Sequence, residues 1–559
     1  MRGKRFLKMR RREHEIAPDE IFLDSSNLPE FNQARLEGRL EKPVPRAAYA
    51  GILLTFALVF FGLIAQAANL QIMEGERYAA QSERNRVRPE VMFAKRGAIV
   101  DRNGNALVYN NATDDGYVRR IYASPGFGHL LGYVSYPKKD TKGYYYDTEI
   151  KGLAGVESAF DETLSGKNGT LLIEENALGE IQSQGQVDAA KDGATLTLSI
   201  DERAQRAFAS SIAELAERIP FVGGSAILMD VETGEIHALV SYPEYDPNIL
   251  SSGGPSDVIA SYQNDNRRPY LDRAIAGLYA PGSIVKPMEA AGALSDGIIS
   301  PEKVIFSSGQ LVVPNPYDPS KPTVFKDWKA LGAMNMRSAI AYSSDVYFYT
   351  VGGGFGDQRG LGIKRLGEWF KAFGFDTKTG IEIEGEEEGF IPTPEWKEKT
   401  YDEPWRIGNT YHTAIGQYAM QVTPIEAARA VAAIANGGKL VRPTLLKTNM
   451  TPAGERIDIS PYALQVAREG MRMGATEGTS VGLNALSFTT IAGKTGTAQL
   501  GANNEYHHAW AVGFFPYEKP KYVYVVLMEK GPSTNLVGGI YATFQALNKL
   551  HQTAPEYFD

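Results

Sequence analysis

The 559-residue chain has no cysteine. That excludes disulfides, thiolate metal sites, iron–sulfur clusters and a cysteine nucleophile. A basic excess is also missing. Its 58 Lys and Arg stand against 66 Asp and Glu, for a net charge of −8, so the molecule as a whole offers nucleic acid no electrostatic footprint. The 7 histidines show no metal-ligand spacing. The adjacent His507-His508 reads as strand-edge polarity, and neither a metal nor another cofactor is expected. There is no internal repeat and no long low-complexity tract. With 43% hydrophobic and 22% charged residues, wholesale disorder and a polytopic membrane protein are both excluded. At roughly 150 residues per domain, the length suggests about three or four units.

One long apolar run is present. From Ala47 to Met73 there is no charged residue over 27 positions. As a helix this stretch is about 40 Å long, against a hydrocarbon core of about 30 Å. A buried core helix rarely carries large apolar residues on every face. Ala65-Gln66-Ala67 imitates a signal-peptidase site, but the 46 residues before the run far exceed a normal leader. An uncleaved anchor over 47–70 is the expectation. Arg2, Lys4, Arg5, Lys8, Arg10, Arg11 and Arg12 cluster at the start, and Arg46 abuts the run. Positive charge stays inside, which makes 1–46 a cytoplasmic tail and places the remainder outside the cell membrane.

Beyond the run, Arg96–Gly104 reads as short strands around an Asn103-Gly104 turn. Gly155–Leu164 reads as a helix closed by Ser165-Gly166. The alternating Thr195–Ile200 predicts a strand leading into a helix capped by Asp201. From Gly223 onward a hairpin turns at Glu232-Thr233-Gly234, and a second hairpin flanks Tyr517–Pro520. Helical stretches such as Pro424–Asn436 lie between them. Strands at both ends of one domain imply a single sheet with helices on its faces.

Three strings carry candidate chemistry. In Pro281-Gly282-Ser283-Ile284-Val285-Lys286-Pro287, Ser283 falls at a helix N-terminus, whose dipole favours a developing oxyanion. Lys286 lies on the same face three residues on. An ordinary lysine is a poor base at neutral pH, so burial or a second cation must lower its proton affinity. Ser343-Ser344-Asp345 is expected within a helix starting near Met334, as a proton relay and polar contact. Lys494-Thr495-Gly496-Thr497 follows an apolar run. There Lys494 offers a cation for a carboxylate, Thr495 and Thr497 offer hydroxyls, and Gly496 leaves room for close backbone approach. Each string alone is more often structural than catalytic.

In this order and spacing, the three strings are the signature of the penicillin-interacting serine acyltransferases. Arg96–Gly104, Gly152–Gly169 and Thr195–Gln205 resemble the pedestal of class B penicillin-binding proteins. Gly224–Asn248, Thr413–Gln417 and Ala509–Pro516 resemble their transpeptidase domain. Asp345 in the second motif resembles the elongation subtype. Two departures stand out. Only about 20 residues separate Ala106 from His129, where relatives carry a longer insertion forming the pedestal head. Tyr418 also replaces the usual small residue after Ile415-Gly416-Gln417.

The resemblance implies an α+β fold. A mainly antiparallel sheet with helices on both faces (201–559) would follow a β-rich pedestal (71–200) and one transmembrane helix. It implies a peptidoglycan D,D-transpeptidase with Ser283 as nucleophile, Lys286 as general base and Ser343 as proton relay. Asp345 and Lys494 join this catalytic set. Lys494 and Thr495 would hold the donor carboxylate, Gly496 would line that strand, and the N–H groups of Ser283 and Thr497 would form the oxyanion hole. Implied partners are donor and acceptor stem peptides, β-lactams as covalent inhibitors, and a SEDS-type glycosyltransferase. A D,D-carboxypeptidase or β-lactamase-like hydrolase, and a non-enzymatic penicillin-binding sensor or scaffold, remain alternatives.

Overall fold

The computed structural model describes residues 44–113, 116–123, 125–175, 181–315, 318–448 and 454–559. Residues 1–43, which hold nearly all of the expected basic tail, lie outside this set. The chain divides into two compact units, Met1–Val87 and Arg88–Asp559.

The first unit contains a 28-residue helix, Arg46–Met73. It runs as an α-helix over Arg46–Ala68 and widens to a π-helical turn at Asn69–Met73. Phe56, Leu58, Phe60, Phe61 and Leu63 are all exposed on it. An apolar helix this long, with no buried face, has the dimensions to cross a bilayer. A second helix, Gly75–Arg86, follows.

Among the described residues, the pedestal end of the second unit has a three-stranded and a four-stranded sheet beside two short two-stranded pairs. The three-stranded sheet takes Gly169–Glu175 as its middle strand, between Val87–Met92 and Ile181–Asp188. The four-stranded sheet is ordered Leu196–Thr197, Ile99–Val100, Ala106–Ala112, Val118–Tyr122. The Asn103-Gly104 turn forms as expected. Gly104 has φ +89°, and the Asp101 carboxylate accepts from the Asn103 and Asn105 amides, both at 2.8 Å. Ala106–Ala112 and Val118–Tyr122 pair directly, which leaves only a short connection where the longer head was expected to be missing. Gly155–Leu164 is not one helix. It breaks at Phe160 into Gly155–Ala159 and Asp161–Leu164. Of Thr195–Ile200, only Leu196–Thr197 pairs as a strand, but Asp201 does cap the next helix, accepting from the Arg203 amide.

The catalytic end is built on five antiparallel strands: β1 (Gly223–Asp230), β2 (Ile236–Tyr242), β3 (Ala492–Leu500), β4 (Tyr506–Phe515) and β5 (Tyr522–Pro532). Their order is β2-β1-β5-β4-β3. The two terminal hairpins thus meet in the middle, and β3 forms an edge. Side chains alternate across a strand. Ala226 and Leu228 accordingly pack with helices Glu202–Arg218 and Gly539–Thr553, while Ile227 and Met229 join the core under Pro424–Ala435 and Pro461–Thr476. Both faces are covered, so β1 is apolar throughout rather than alternating. His507 and His508 sit in β4, an inner strand, and both are buried. They are therefore not edge residues as expected. Burial lowers the proton affinity of both, and that of His508 falls to about 4.

Candidate active site

Ser283 lies in a tight turn, Gly282–Val285, that runs directly into helix Lys286–Ser295 with Pro287 in its first turn. Three contacts hold the turn. Trp510 of β4 donates its indole N–H to the Ala280 carbonyl at 3.0 Å. Tyr279 and Val422 exchange backbone hydrogen bonds, and the Gly282 amide donates to the Gly416 carbonyl at 2.9 Å. Gly416 has φ +70°, and a Cβ there would lie 2.2 Å from the Gly282 carbonyl oxygen. This glycine is required by both conformation and space.

Gly496 on β3 allows a similar approach. A Cβ at Gly496 would stand 2.7 Å from the Pro281 carbonyl oxygen, and one at Gly282 would stand 3.2 Å from the Thr497 carbonyl. The backbone of the Ser283 turn therefore packs directly against that of Gly496 and Thr497.

The second motif is not inside a helix. Helix Met336–Tyr342 ends at Ser343, whose φ of +60° and ψ of +39° are left-handed, and a new helix, Asp345–Gly353, starts with Ser344 as its cap. A continuous helix would separate Ser343 and Asp345 by about 200° around its axis. The break instead brings both to one centre. Lys286 Nζ donates to the Ser343 carbonyl at 2.8 Å, to Ser343 Oγ at 3.4 Å and to Asp345 Oδ1 at 2.6 Å. Lys494 Nζ donates to the same Ser343 Oγ at 2.8 Å and to the Thr495 carbonyl at 2.8 Å. Thr495 Oγ1 donates to Thr479 Oγ1 at 2.7 Å.

Both lysines are fully buried, and the Asp345 side chain is 19% accessible. Burial, reinforced by the charge of Lys286, pushes the Lys494 ammonium well below its ordinary range. Burial raises the Asp345 carboxyl, against the pull of Lys286. Two lysine amines thus meet at one hydroxyl, and one of them also holds a carboxylate. Among the described residues no hydrogen bond joins Lys286 to the Ser283 hydroxyl, and the ammonium is instead committed to Ser343 and Asp345. This differs from the direct lysine–serine contact that the three-residue spacing suggests. One turn further, Glu289 is fully buried with neither carboxylate oxygen hydrogen-bonded, and burial raises its proton affinity strongly. No group of three or more His, Asp or Glu among the described residues could hold a metal ion.

Several contributors carried no sequence signal. Thr479 and Asp327 are isolated residues in loops, and Trp510 reads as a core aromatic. Tyr418 adopts a left-handed φ of +69°. Its ring is wedged edge-on between Trp396 and Trp405, at centroid distances of 6.1 and 5.8 Å. Packing against two indoles holds a bulky residue in a backbone region that normally favours glycine.

Residues 224–546 match the penicillin binding protein transpeptidase domain, and residues 112–198 match the penicillin-binding protein dimerisation domain. The chain is 33% identical over 463 residues to the peptidoglycan D,D-transpeptidase MrdA of Haemophilus influenzae, covering 75% of this chain and 68% of that one. Its structure resembles penicillin-binding protein PBP2 of Helicobacter pylori, solved in complex with MreC, with TM-score 0.69 and 27% identity over 84% of this chain and 99% of that one. It also resembles a chain of a peptidoglycan synthase complex that coordinates polymerization and crosslinking, with TM-score 0.70 and 26% identity over 90% and 98% of the two chains. With three motifs converging on one buried hydroxyl and family matches over both lobes, this chain belongs to the class B penicillin-binding proteins, in their elongation-type branch.

Proposed function

We infer that the protein is a peptidoglycan D,D-transpeptidase that cross-links stem peptides through a serine acyl-enzyme. The observation that carries this reading is the convergence of Lys286, Ser343, Asp345 and Lys494 beside the Ser283 turn. Ser283 Oγ attacks the carbonyl between the donor's two terminal D-alanines. Its proton passes to the Lys286–Asp345 pair, which acts as one accepting unit. Asp345 Oδ1, 2.6 Å from Lys286 Nζ, is the carboxylate that orients this base and offsets the charge it gains.

The backbone N–H groups of Ser283 and Thr497 stabilise the tetrahedral oxyanion; one such donor is typically worth about 10²–10³ in rate. As the C–N bond breaks, Ser343, poised between the two lysines, hands a proton to the departing D-alanine amine. Lys494 and Thr495 hold the donor's terminal carboxylate. Arrival of that anion restores the proton affinity that burial removes from Lys494. An amine from a neighbouring stem peptide then attacks the ester and frees Ser283.

We further assign 1–46 to a cytoplasmic tail, 47–70 to a single membrane span, 71–200 to the pedestal and 201–559 to the transpeptidase domain, with the last two outside the cell membrane. The positive residues before the span support that orientation. A membrane glycosyltransferase of the SEDS type is the proposed partner, supported by the likeness to a chain of a polymerising and cross-linking complex.

Labelling with fluorescent penicillin tests the reading. The wild type should form a long-lived covalent adduct that Ser283→Ala does not form. No adduct on folded wild-type protein would overturn the assignment, and rapid loss of label would identify a hydrolase instead.

A further inference from the structure

The left-handed turn at Ser343 closes the preceding helix with backbone bonds, the Ser343 amide donating to the Ile340 carbonyl at 3.3 Å and the Ser344 amide to the Ala339 carbonyl at 3.0 Å, and side chains from outside the segment add to them. Beside it runs a two-stranded excursion, Gln310–Val313 paired with Thr323–Lys326, which ends at Asp327-Trp328. The Asp327 carboxylate is buried, at 8% exposure. It accepts from Ser344 Oγ at 2.8 Å, from the Asp345 amide at 3.1 Å and from the Val346 amide at 3.1 Å. It also accepts from Ser307 Oγ at 2.9 Å and from the Trp328 amide at 2.9 Å. On the other side of the turn, Trp328 Nε1 donates to the Tyr342 carbonyl at 3.1 Å. The dipeptide therefore grips residue 342 before Ser343 and residues 344–346 after it, and among the described residues it makes no hydrogen bond or ion pair to Ser283, Lys286 or Lys494.

We propose that Asp327, with Trp328, is a positioning residue of the acylation site, holding the Ser343 turn against both lysines and setting the charge felt by the Lys286–Asp345 pair. The proposal rests on the transpeptidase reading above and adds the element that aligns its proton relay. Its physical basis has two parts. A left-handed non-glycine residue persists only where its surroundings over-determine it, and Asp327 supplies the surrounding bonds. A carboxylate capping the first turn of helix Asp345–Gly353 is itself favoured by the exposed amides and the helix dipole.

The second part is electrostatic. The groups facing Asp345 are Lys286 from the nucleophile helix, Lys494 from β3 and Asp327 from the excursion. His412 from helix Ile407–Ala414 and Tyr349 on its own helix complete the set. Asp327 is the anion among them, and its charge adds to the proton affinity of Asp345.

The test is the rate of acylation by fluorescent penicillin as a function of pH, with melting temperature recorded for each variant. Asp327→Asn keeps the size but loses the charge and an acceptor. Acylation should fall by about 10- to 100-fold, as expected for a displaced relay, and its acid limb should move to lower pH, because the pair has lost a neighbouring anion. Ser307→Ala breaks the bond on the far side of Asp327 and the long one from the Gly309 amide at 3.4 Å, and should stay within about threefold of wild type with the limb in place. If Asp327→Asn does not fold, Trp328→Phe serves. It keeps the charge and loses the Tyr342 bond, so the rate should fall severalfold at every pH without a shift of the limb. Wild-type rate and limb in Asp327→Asn, or an undiminished rate in Trp328→Phe, would overturn the proposal. An unlabelled wild-type protein would instead sink the transpeptidase reading, so the two failures are distinguishable.

Discussion

Two buried clusters in this protein each gather two basic side chains around one shared partner, Glu157 in the first and the Ser343 hydroxyl in the second, yet they differ in how far the charges are compensated. In the pedestal, Arg96 and Arg120 both pair with Glu157, at 2.6 and 2.8 Å, and all three side chains are essentially inaccessible. Arg96 also donates to the Ile150 and Glu157 carbonyls and pairs with Asp161. Arg120 donates to the Gly97 carbonyl and Asn110 Oδ1. In the cleft, Lys286 has its carboxylate at 2.6 Å, while Lys494 has only a hydroxyl and a carbonyl. A guanidinium cannot give up its proton in a protein, whereas a buried ammonium does so readily. The pedestal cluster is a joint in which each guanidinium has a carboxylate within 2.8 Å. In the cleft cluster Lys494 lacks a contacting carboxylate and burial lowers its proton affinity, a condition that suits the proton transfers proposed for it.

Exchanging the chemistry of the two clusters should break the contrast. The largest effect is expected from Lys286→Arg, which gives the cleft a permanently charged group like those of the pedestal. Acylation by penicillin should fall by about 10²–10⁴, the usual worth of a general base, with little change in melting temperature. An active Lys286→Arg protein would show that the amine is not the base. Next comes Glu157→Gln, which leaves two buried guanidiniums without their shared anion. The expected cost is about 3–5 kcal/mol of stability, read by denaturant titration. The acylation rate of the molecules that remain folded should not change. A loss of rate without a loss of stability would mean that the pedestal cluster reaches the active site.

The smallest effect concerns pH. Burial lowers His129, on the pedestal side, to about 4, and His508, in the catalytic sheet, to about 4. Both fold as neutral rings, and their unfolded proton affinity is higher, near 6.5. Their contribution is therefore complete above about pH 6.5 and is lost as pH falls toward 4. Each is worth at most about 3 kcal/mol. Unfolding free energy measured from pH 7 to 4 should decline, and His129→Phe should decline less steeply. Equal slopes would assign the acid sensitivity elsewhere.

Much of this was legible locally. The Asn103-Gly104 turn, the Asp201 cap, both hairpins of the central sheet and the helix from Pro424 depend on neighbours within a few residues, and they formed with small changes of boundary. Gly496 was readable as a point of close approach, and a Cβ there would collide with the nucleophile segment. The break at Ser343 was not legible, because Met334 to Gly353 is helix-compatible by composition and many of the bonds around the left-handed turn come from outside that segment, from Asp327, Trp328, Thr479 and the two lysines. Nor was the Lys286–Asp345 pair. The three-residue spacing points the lysine at Ser283, and a contact between residues 59 apart has no local trace. His507 and His508 misled for the same reason, since polarity in a strand does not reveal whether the strand is inner or edge.

The sequence by itself determined the long apolar N-terminal helix, the strands and turns, and the identity of the groups available for chemistry, because these depend on covalent order, periodicity and side-chain chemistry. The tertiary structure alone decided which of those groups are compensated. Burial and the placement of distant carboxylates and carbonyls set proton affinities and hold strained turns, and neither leaves a mark on nearest neighbours in the chain.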